Sequence, residues 1–177
     1  MATLEGGGGN STDSLVGSDT ENDSIWGAGG GDILRGGPAA GTGGGDDLLD
    51  GGTGSDLLYG GDGNDTVIGG SGGGDDTLFG GAGIDTADYS RNLTDLLTGT
   101  TLTPVFSANN SAVVVDLASG AASGLGDDVL VGIENVITGG GADFVTGNAQ
   151  ANVIALGAGA DTADGAAGDD TIYGEVG

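Results

Sequence analysis

Gly51-Gly52-Thr53-Gly54-Ser55-Asp56-Leu57-Leu58-Tyr59 is followed without a gap by Gly60-Gly61-Asp62-Gly63-Asn64-Asp65-Thr66-Val67-Ile68. Both nonapeptides follow one pattern, Gly-Gly-X-Gly-X-Asp-X-apolar-X. Glycine at this density excludes a helix, since each one costs roughly 1 kcal/mol relative to alanine inside a helix. Each unit reads instead as a glycine turn closed by a carboxylate, followed by a short strand with an apolar residue at its centre. Stacked units place a column of aliphatic side chains inside and columns of carboxylates outside.

The same register extends over thirteen units. The turn-closing position holds Asp13, Asp23, Asp32, Asp47, Asp56, Asp65, Asp76, Asp85, Asp128, Asp143, Asn152, Asp161 and Asp170. Two residues further on stand Leu15, Ile25, Leu34, Leu49, Leu58, Val67, Leu78, Ala87, Leu130, Val145, Ile154, Ala163 and Ile172. One such unit in a glycine-rich chain means little, but an array of this length is a structural repeat.

Glycine supplies 44 of the 177 residues, which by itself suggests a disordered polymer. The periodic Leu, Ile and Val argue otherwise, because every turn brings its own residue to bury. The core they form is thin, and glycine-rich segments lose much conformational freedom on folding, so a further stabiliser is needed. Charge identifies it. The chain carries 27 acids against two basic residues and no His, a net charge of −25. Twelve of its 23 aspartates fall on the turn-closing position, which a general bias towards acidic surfaces does not explain. Carboxylates stacked at strand spacing repel one another unless a cation lies between them. Carboxylates with glycine-turn carbonyls are hard oxygen ligands that suit calcium; magnesium dehydrates reluctantly and prefers a tighter octahedron. Zinc and copper lack their usual ligands, as there is no Cys or His. An acidic surface of this kind excludes nucleic acid as a partner. No stretch has the length of a membrane span, and Met1 to Gly9 has neither the basic start nor the apolar core of a cleavable signal. Weak calcium sites fill outside cells and not in the cytosol, so the expected location is extracellular or at a bacterial cell surface.

Along the chain, residues 1–88 form a first block of units, 89–123 an irregular insertion, and 124–177 a second block, together one continuous solenoid. The surplus residues Gly36 to Gly41 read as a loop bulging from one turn. Within the insertion, Arg91 to Leu97 reads as a helical turn or an irregular loop. Residues 112–117 read as a strand from their β-branched content, and Ala118 to Ser123 as a turn rich in small residues. The spacer Gly132 to Thr138 alternates apolar and polar residues, so it too reads as a strand. The segment Gly174-Glu175-Val176-Gly177 opens a further unit.

These features resemble the RTX (repeats-in-toxin) proteins of bacteria, whose haemolysin-type nonapeptides bind calcium. The resemblance spans Gly8 to Tyr173 and includes Gly-Ile-Asp-Thr-Ala-Asp-Tyr-Ser (83–90), Val-Val-Val-Asp-Leu (113–117) and Gly-Ile-Glu-Asn-Val (132–136). It implies an all-β fold: a calcium-loaded parallel β-roll, or right-handed β-solenoid, in which nine residues make half a coil, with one irregular insertion. It further implies that all thirteen turn-closing residues bind metal, in pairs one coil apart. The closest pairs are Asp47 with Asp65, Asp143 with Asp161, and Asn152 with Asp170; Asp13 with Asp32, Asp56 with Asp76, and Asp65 with Asp85 are slightly stretched. Asn152 lacks a charge, so its site should be weaker. About six to nine calcium ions would satisfy this array.

No His, Cys or Lys is present, so neither a nucleophilic triad nor Schiff-base chemistry can be assembled, and the chain is read as non-enzymatic. The third turn position carries no regular Thr or Asn rank, which argues against ice binding. Two roles remain: a structural module that assembles with itself end to end into a fibre or surface layer, or a calcium-triggered folding and export module of a larger type I-secreted adhesin, toxin or hydrolase. No polar cap is legible at either end, which favours stacking. The strand-flanking residues Trp26, Ile33, Leu48, Leu57, Tyr59, Ile68, Phe79, Val129, Phe144 and Tyr173 should face outward, and Tyr59 and Phe79 should share one face on neighbouring rungs.

Overall fold

The computed structural model describes residues 3–37, 44–93 and 106–174. Among the described residues every regular element is a strand and none is a helix. Eight strands form sheet one, in the order β1 (Thr3–Glu5), β3 (Ser24–Trp26), β5 (Leu48–Asp50), β7 (Thr66–Ile68), β9 (Thr86–Asp88), β15 (Asn135–Ile137), β17 (Val153–Leu156) and β19 (Thr171–Gly174). Every pairing in it is parallel. Nine strands form sheet two, in the order β18 (Thr162–Asp164), β16 (Phe144–Thr146), β12 (Val114–Asp116), β13 (Ala121–Ser123), β14 (Asp127–Val131), β8 (Thr77–Ala82), β6 (Leu57–Asp62), β4 (Ile33–Arg35) and β2 (Ser14–Val16). From β1 to β9 the chain alternates between the sheets, so each nonapeptide is half a coil of the expected parallel β-roll.

Register places the apolar residues in two facing columns. Leu15, Leu34, Leu58, Leu78 and Leu130 are successive Cα partners in sheet two, and Leu4, Ile25, Leu49, Val67 and Ala87 in sheet one. A strand of three residues turns only its centre inward, so one side chain per strand makes the core. Most are wholly buried, while Leu15 and Ala163 are partly covered. Ile172, on the last strand, departs from the pattern and is 45% exposed, because β19 has a neighbour on one side only.

The flanking residues do not all face solvent. Phe144 and Tyr173 are exposed, but Trp26 and Ile68 are buried, as is Asp50 between them in register. Sheet one thus carries a covered stripe on its outer side, which strand alternation alone does not reveal. Tyr59 and Phe79 do share a face: their rings stack with centroids 4.8 Å apart, and the Arg35 guanidinium lies 4.9 Å from the Tyr59 centroid.

Three antiparallel pairings mark the insertion and its exit. Arg91–Leu93 is a strand, β10, antiparallel to β11 (Phe106–Ala108); Thr94 to Leu97 lies outside the described residues. So do residues 38–41 of the surplus loop and 175–177 of the last unit. The expected strand at 112–117 is β12. Ala118 to Ser123 is not all turn: β13 occupies Ala121–Ser123 and runs antiparallel to both β12 and β14. Asp116 makes the reversal, its Oδ1 accepting the amides of Ala118 and Ser119 while its carbonyl accepts that of Gly120, which has φ +69°. Sheet two therefore gains β12 and β13 between β14 and β16, whereas β15 in sheet one pairs directly with β9 and β17. Of the 132–138 spacer, Asn135–Ile137 forms a strand, β15.

Candidate metal centre

The turn-closing residues line two edges. Asp13, Asp32, Asp56, Asp76, Asp128, Asp143 and Asp161 lead into or open strands of sheet two; Asp23, Asp47, Asp65, Asp85, Asn152 and Asp170 lead into sheet one. Most are not on the outer surface, as the repeat pattern suggested, but folded under the turns: Asp32 and Asp65 are each 1% exposed and Asp85 is 0%.

On both edges Oδ1 accepts the backbone N–H of the corresponding residue one coil earlier. Asp13 donates to Asp32, Asp23 to Asp47 and Asp32 to Asp56, each at 2.7 Å. Asp47 donates to Asp65, Asp56 to Asp76 and Asp65 to Asp85, each at 2.8 Å. Beyond the insertion Asp143 donates to Asp161 and Asn152 to Asp170, each at 2.9 Å. All six pairs expected from the spacing are therefore brought together. The structure adds what spacing concealed: Asp76 donates to Asp128 across 52 residues of chain, and Asp85 donates to Glu134 Oε2 at 2.9 Å. Glu134 stands where the pattern has Asp. Its signal was Val136, the apolar residue two positions later.

The second oxygen has a different environment. Oδ2 of Asp32, Asp47, Asp56, Asp65, Asp85 and Asp143 is buried with no hydrogen-bond donor. A buried anionic oxygen left without a partner costs several kcal/mol. Burial is accordingly the main cause that raises the carboxyls of Asp56 and Asp85 to about 6 and of Asp65 and Asp76 to about 7, with neighbouring carboxylates adding to it and backbone amides opposing. Asp32 and Asp47 are raised for the same reason.

Five of these six oxygens, all but Asp143 Oδ2, lie beside a turn carbonyl at a glycine. A Cβ added to Gly60 would stand 2.3 Å from Asp65 Oδ2 and 2.5 Å from the carbonyl oxygen of Gly80 in the next coil. Gly51 has the same relation to Asp56 and Gly69, and Gly27 to Asp32 and Gly51. A carboxylate oxygen and a carbonyl oxygen thus converge where only glycine leaves room. Among the described residues no group of three or more acidic side chains could hold a metal, so a cation here must draw on turn carbonyls as well as carboxylates. Carboxylate and carbonyl oxygens are the ligands of a hard cation such as calcium.

Elsewhere the chain supplies a donor. Asp13 Oδ2 accepts the Gly7 amide and the Ser11 hydroxyl, and Asp23 Oδ2 accepts the amide and hydroxyl of Ser18. Asp128 Oδ2 accepts the buried Tyr89 hydroxyl at 3.0 Å, and burial together with the Asp128 charge holds that phenol well above its ordinary value. Asn152 Nδ2 donates to the Glu134 carbonyl at 2.7 Å. Two buried aspartates lie off the repeat: Asp88, 2% exposed, is paired with Arg91 and accepts the Ser90 hydroxyl, whereas Asp50 is 1% exposed and burial, above all, pushes its carboxyl up to about 7.

No curated protein matches the chain. The model of the RTX calcium-binding nonapeptide repeat matches four times, over residues 41–73, 71–87, 130–163 and 146–177. These matches take in the turn-closing residues from Asp47 to Asp85 and from Asp143 to Asp170 and together span more than half of the sequence. The chain belongs to the RTX calcium-binding nonapeptide repeat family.

Proposed function

We propose that this protein is a non-enzymatic, extracellular structural module whose β-roll folds when calcium enters the two turn edges. The observation that carries the reading is the set of six buried Oδ2 atoms without a donor, each on an Asp already committed through Oδ1 to the coil before it. In this reading Asp32, Asp47, Asp56, Asp65, Asp85 and Asp143 are the principal ligands, with Asp76, Asp161 and Asp170 completing the pairs and turn carbonyls filling the remaining positions. Calcium supplies the positive charge that the carboxylates lack. The residues do the rest: glycines open the space, Oδ1 fixes the rung, and the Leu column sets the register.

Circular dichroism tests it. A mostly unfolded chain in excess chelator should become β-rich in millimolar calcium and not in equal magnesium. Equal β content in chelator and calcium would sink the reading.

The division into a first block over 1–88, an insertion over 89–123 and a second block over 124–177, loading as one solenoid, belongs to the same proposal. End-to-end self-association into a fibre or layer is the role it favours. Among the described residues β19 pairs only with β17 and exposes Ile172 and Tyr173, a surface on which a further coil can stack. Light scattering at high protein concentration in millimolar calcium should show calcium-dependent growth. A monodisperse monomer would leave the alternative, a folding and export module of a larger type I-secreted protein. That alternative draws support from the same donorless oxygens, since they keep the chain unfolded where calcium is scarce.

A further inference from the structure

We infer that the roll has two kinds of rung, one closed by a cation and one closed by the chain's own donors, and that Tyr89 and Asn152 make metal-free rungs where the interrupted roll resumes. The inference rests on the calcium reading above and specifies where calcium is not needed. At the six donorless carboxylates no hydrogen-bond donor among the described residues points at Oδ2. At Asp128 the Tyr89 hydroxyl does, at 3.0 Å, with Tyr89 5% and Asp128 4% exposed. At Asn152 the oxygen beside the next coil's carbonyl, that of Gly165, is Oδ1, and the chain supplies its donor, the Asn148 amide at 2.9 Å. The amide nitrogen points the other way, donating to the Glu134 carbonyl one coil earlier at 2.7 Å and to Asn148 Oδ1 at 3.1 Å.

The two positions are not scattered. Asp128 lies in β14, which rejoins sheet two against β8, and Asn152 opens β17, the first strand to stack on β15. A calcium ion needs six to eight oxygens, most of them from regularly spaced turns. At the insertion the spacing is lost: sheet two has β13 and β12 beyond β14, and Glu134 replaces Asp in the turn before β15. A hydroxyl or an amide needs only one acceptor, so it can close a rung where a complete oxygen shell cannot form. Ser11 and Ser18 do the same for Asp13 and Asp23 in the first coil.

Two variants of the full chain test this. Asn152→Asp exchanges the donor for a donorless oxygen. Equilibrium dialysis should find an additional bound calcium ion per chain, and the variant should be less stable than the parent in chelator. An unchanged ion count with tighter binding would mean that the Asn152 amide oxygen already held calcium, and would overturn the inference. Tyr89→Phe frees Asp128 Oδ2. Its loss of stability should shrink as calcium rises, because a cation takes the place of the hydroxyl; a loss equal at every calcium concentration assigns Tyr89 a packing role and overturns its part. A parent chain that neither binds calcium nor folds with it would defeat the underlying reading. A parent that folds with calcium, with both variants behaving as plain lesions, defeats this inference alone.

Discussion

Replacing Asp65 by Asn should change stability in opposite directions with and without calcium. The substitution keeps one oxygen to accept the Asp47 amide at 2.8 Å and replaces the donorless Oδ2, beside the Gly80 carbonyl, with an amide donor. Burial first, then the charges of Asp85, Asp47 and Asp46, raise the Asp65 carboxyl to about 7. From an ordinary value near ~3.9 this is a rise of about three pH units, each equivalent to ~1.36 kcal/mol. The penalty is absent below about pH 4, grows as pH rises, and is complete above about pH 7. Its ceiling is about 4 kcal/mol, and screening by solvent at the turn edge brings the expected value to about 2 kcal/mol. At pH 8 in chelator, the Asp65→Asn variant should be more stable than the parent roll by that amount.

In saturating calcium the sign inverts, since a ligand has lost its charge. A tenfold loss of affinity is worth about 1.4 kcal/mol, and a carboxylate shared by two ions loses more. Urea unfolding followed by circular dichroism measures both arms, with sucrose or sulfate added in chelator to populate the folded state. Asp62→Asn is the control, because Asp62 is half-buried and lies outside the turn-closing ladder; it should move either midpoint by less than about 0.5 kcal/mol. A midpoint that falls in both conditions would refute the argument that Oδ2 is an anion in need of a cation.

Leu58→Asp should abolish calcium-dependent folding, with a loss of at least about 4 kcal/mol, because Leu58 is 0% exposed and a charge there has no partner; Leu57→Asp, at a half-buried position, should be far milder. Equal effects on the unfolding midpoint would mean the inside and outside of β6 have been exchanged. Acid should partly substitute for calcium: the buried carboxyls at about 6 (Asp56, Asp85) and about 7 (Asp65, Asp76) lose their charge penalty as pH falls. In chelator, β content should therefore rise on acidification towards pH ~4.5 and be lost through pH ~6 to ~7, while apparent calcium affinity should rise over that same window. β content independent of pH in chelator would contradict it.

Periodicity made the roll legible because one nine-residue rule sets the turn, the strand and the buried residue together. The rule stops at Tyr89, and the path of the chain through the insertion depends on contacts distant in sequence. Nothing local announces that Asp76 meets Asp128 or that Asp85 meets Glu134. The strand β13 was hidden for another reason: Ala and Ser read as turn residues, whereas the turn is made just upstream by Asp116 and Gly120. The buried stripe of Trp26, Asp50 and Ile68 contradicts simple alternation, which assumes that one side of a sheet faces water. The donors at Asp128 and Asn152 were illegible as well, since a composition rule counts carboxylates and not the groups that point at them.

The three glycines of the repeat have separate causes, and this ties the fold to the site. Gly63 has φ +128°, and a Cβ there would lie 2.1 Å from the Gly45 carbonyl, so the fourth position is glycine for backbone reasons. Gly61, at φ +126°, is constrained likewise. Gly60 has no positive φ, and its backbone would accept any residue. It is glycine because a Cβ would intrude between Asp65 Oδ2 and the Gly80 carbonyl oxygen. The first letter of the motif is therefore dictated by the oxygen cradle and the later ones by the turn. A β-roll that needed only its turns could carry a side chain at the first position. Gly27, Gly36, Gly51, Gly60 and Gly80 all hold this position beside a donorless oxygen, whereas the unit of Asp143 has Thr138 there; glycine in the first five makes sense when that space holds a cation, so there the repeat that specifies the fold also specifies the site.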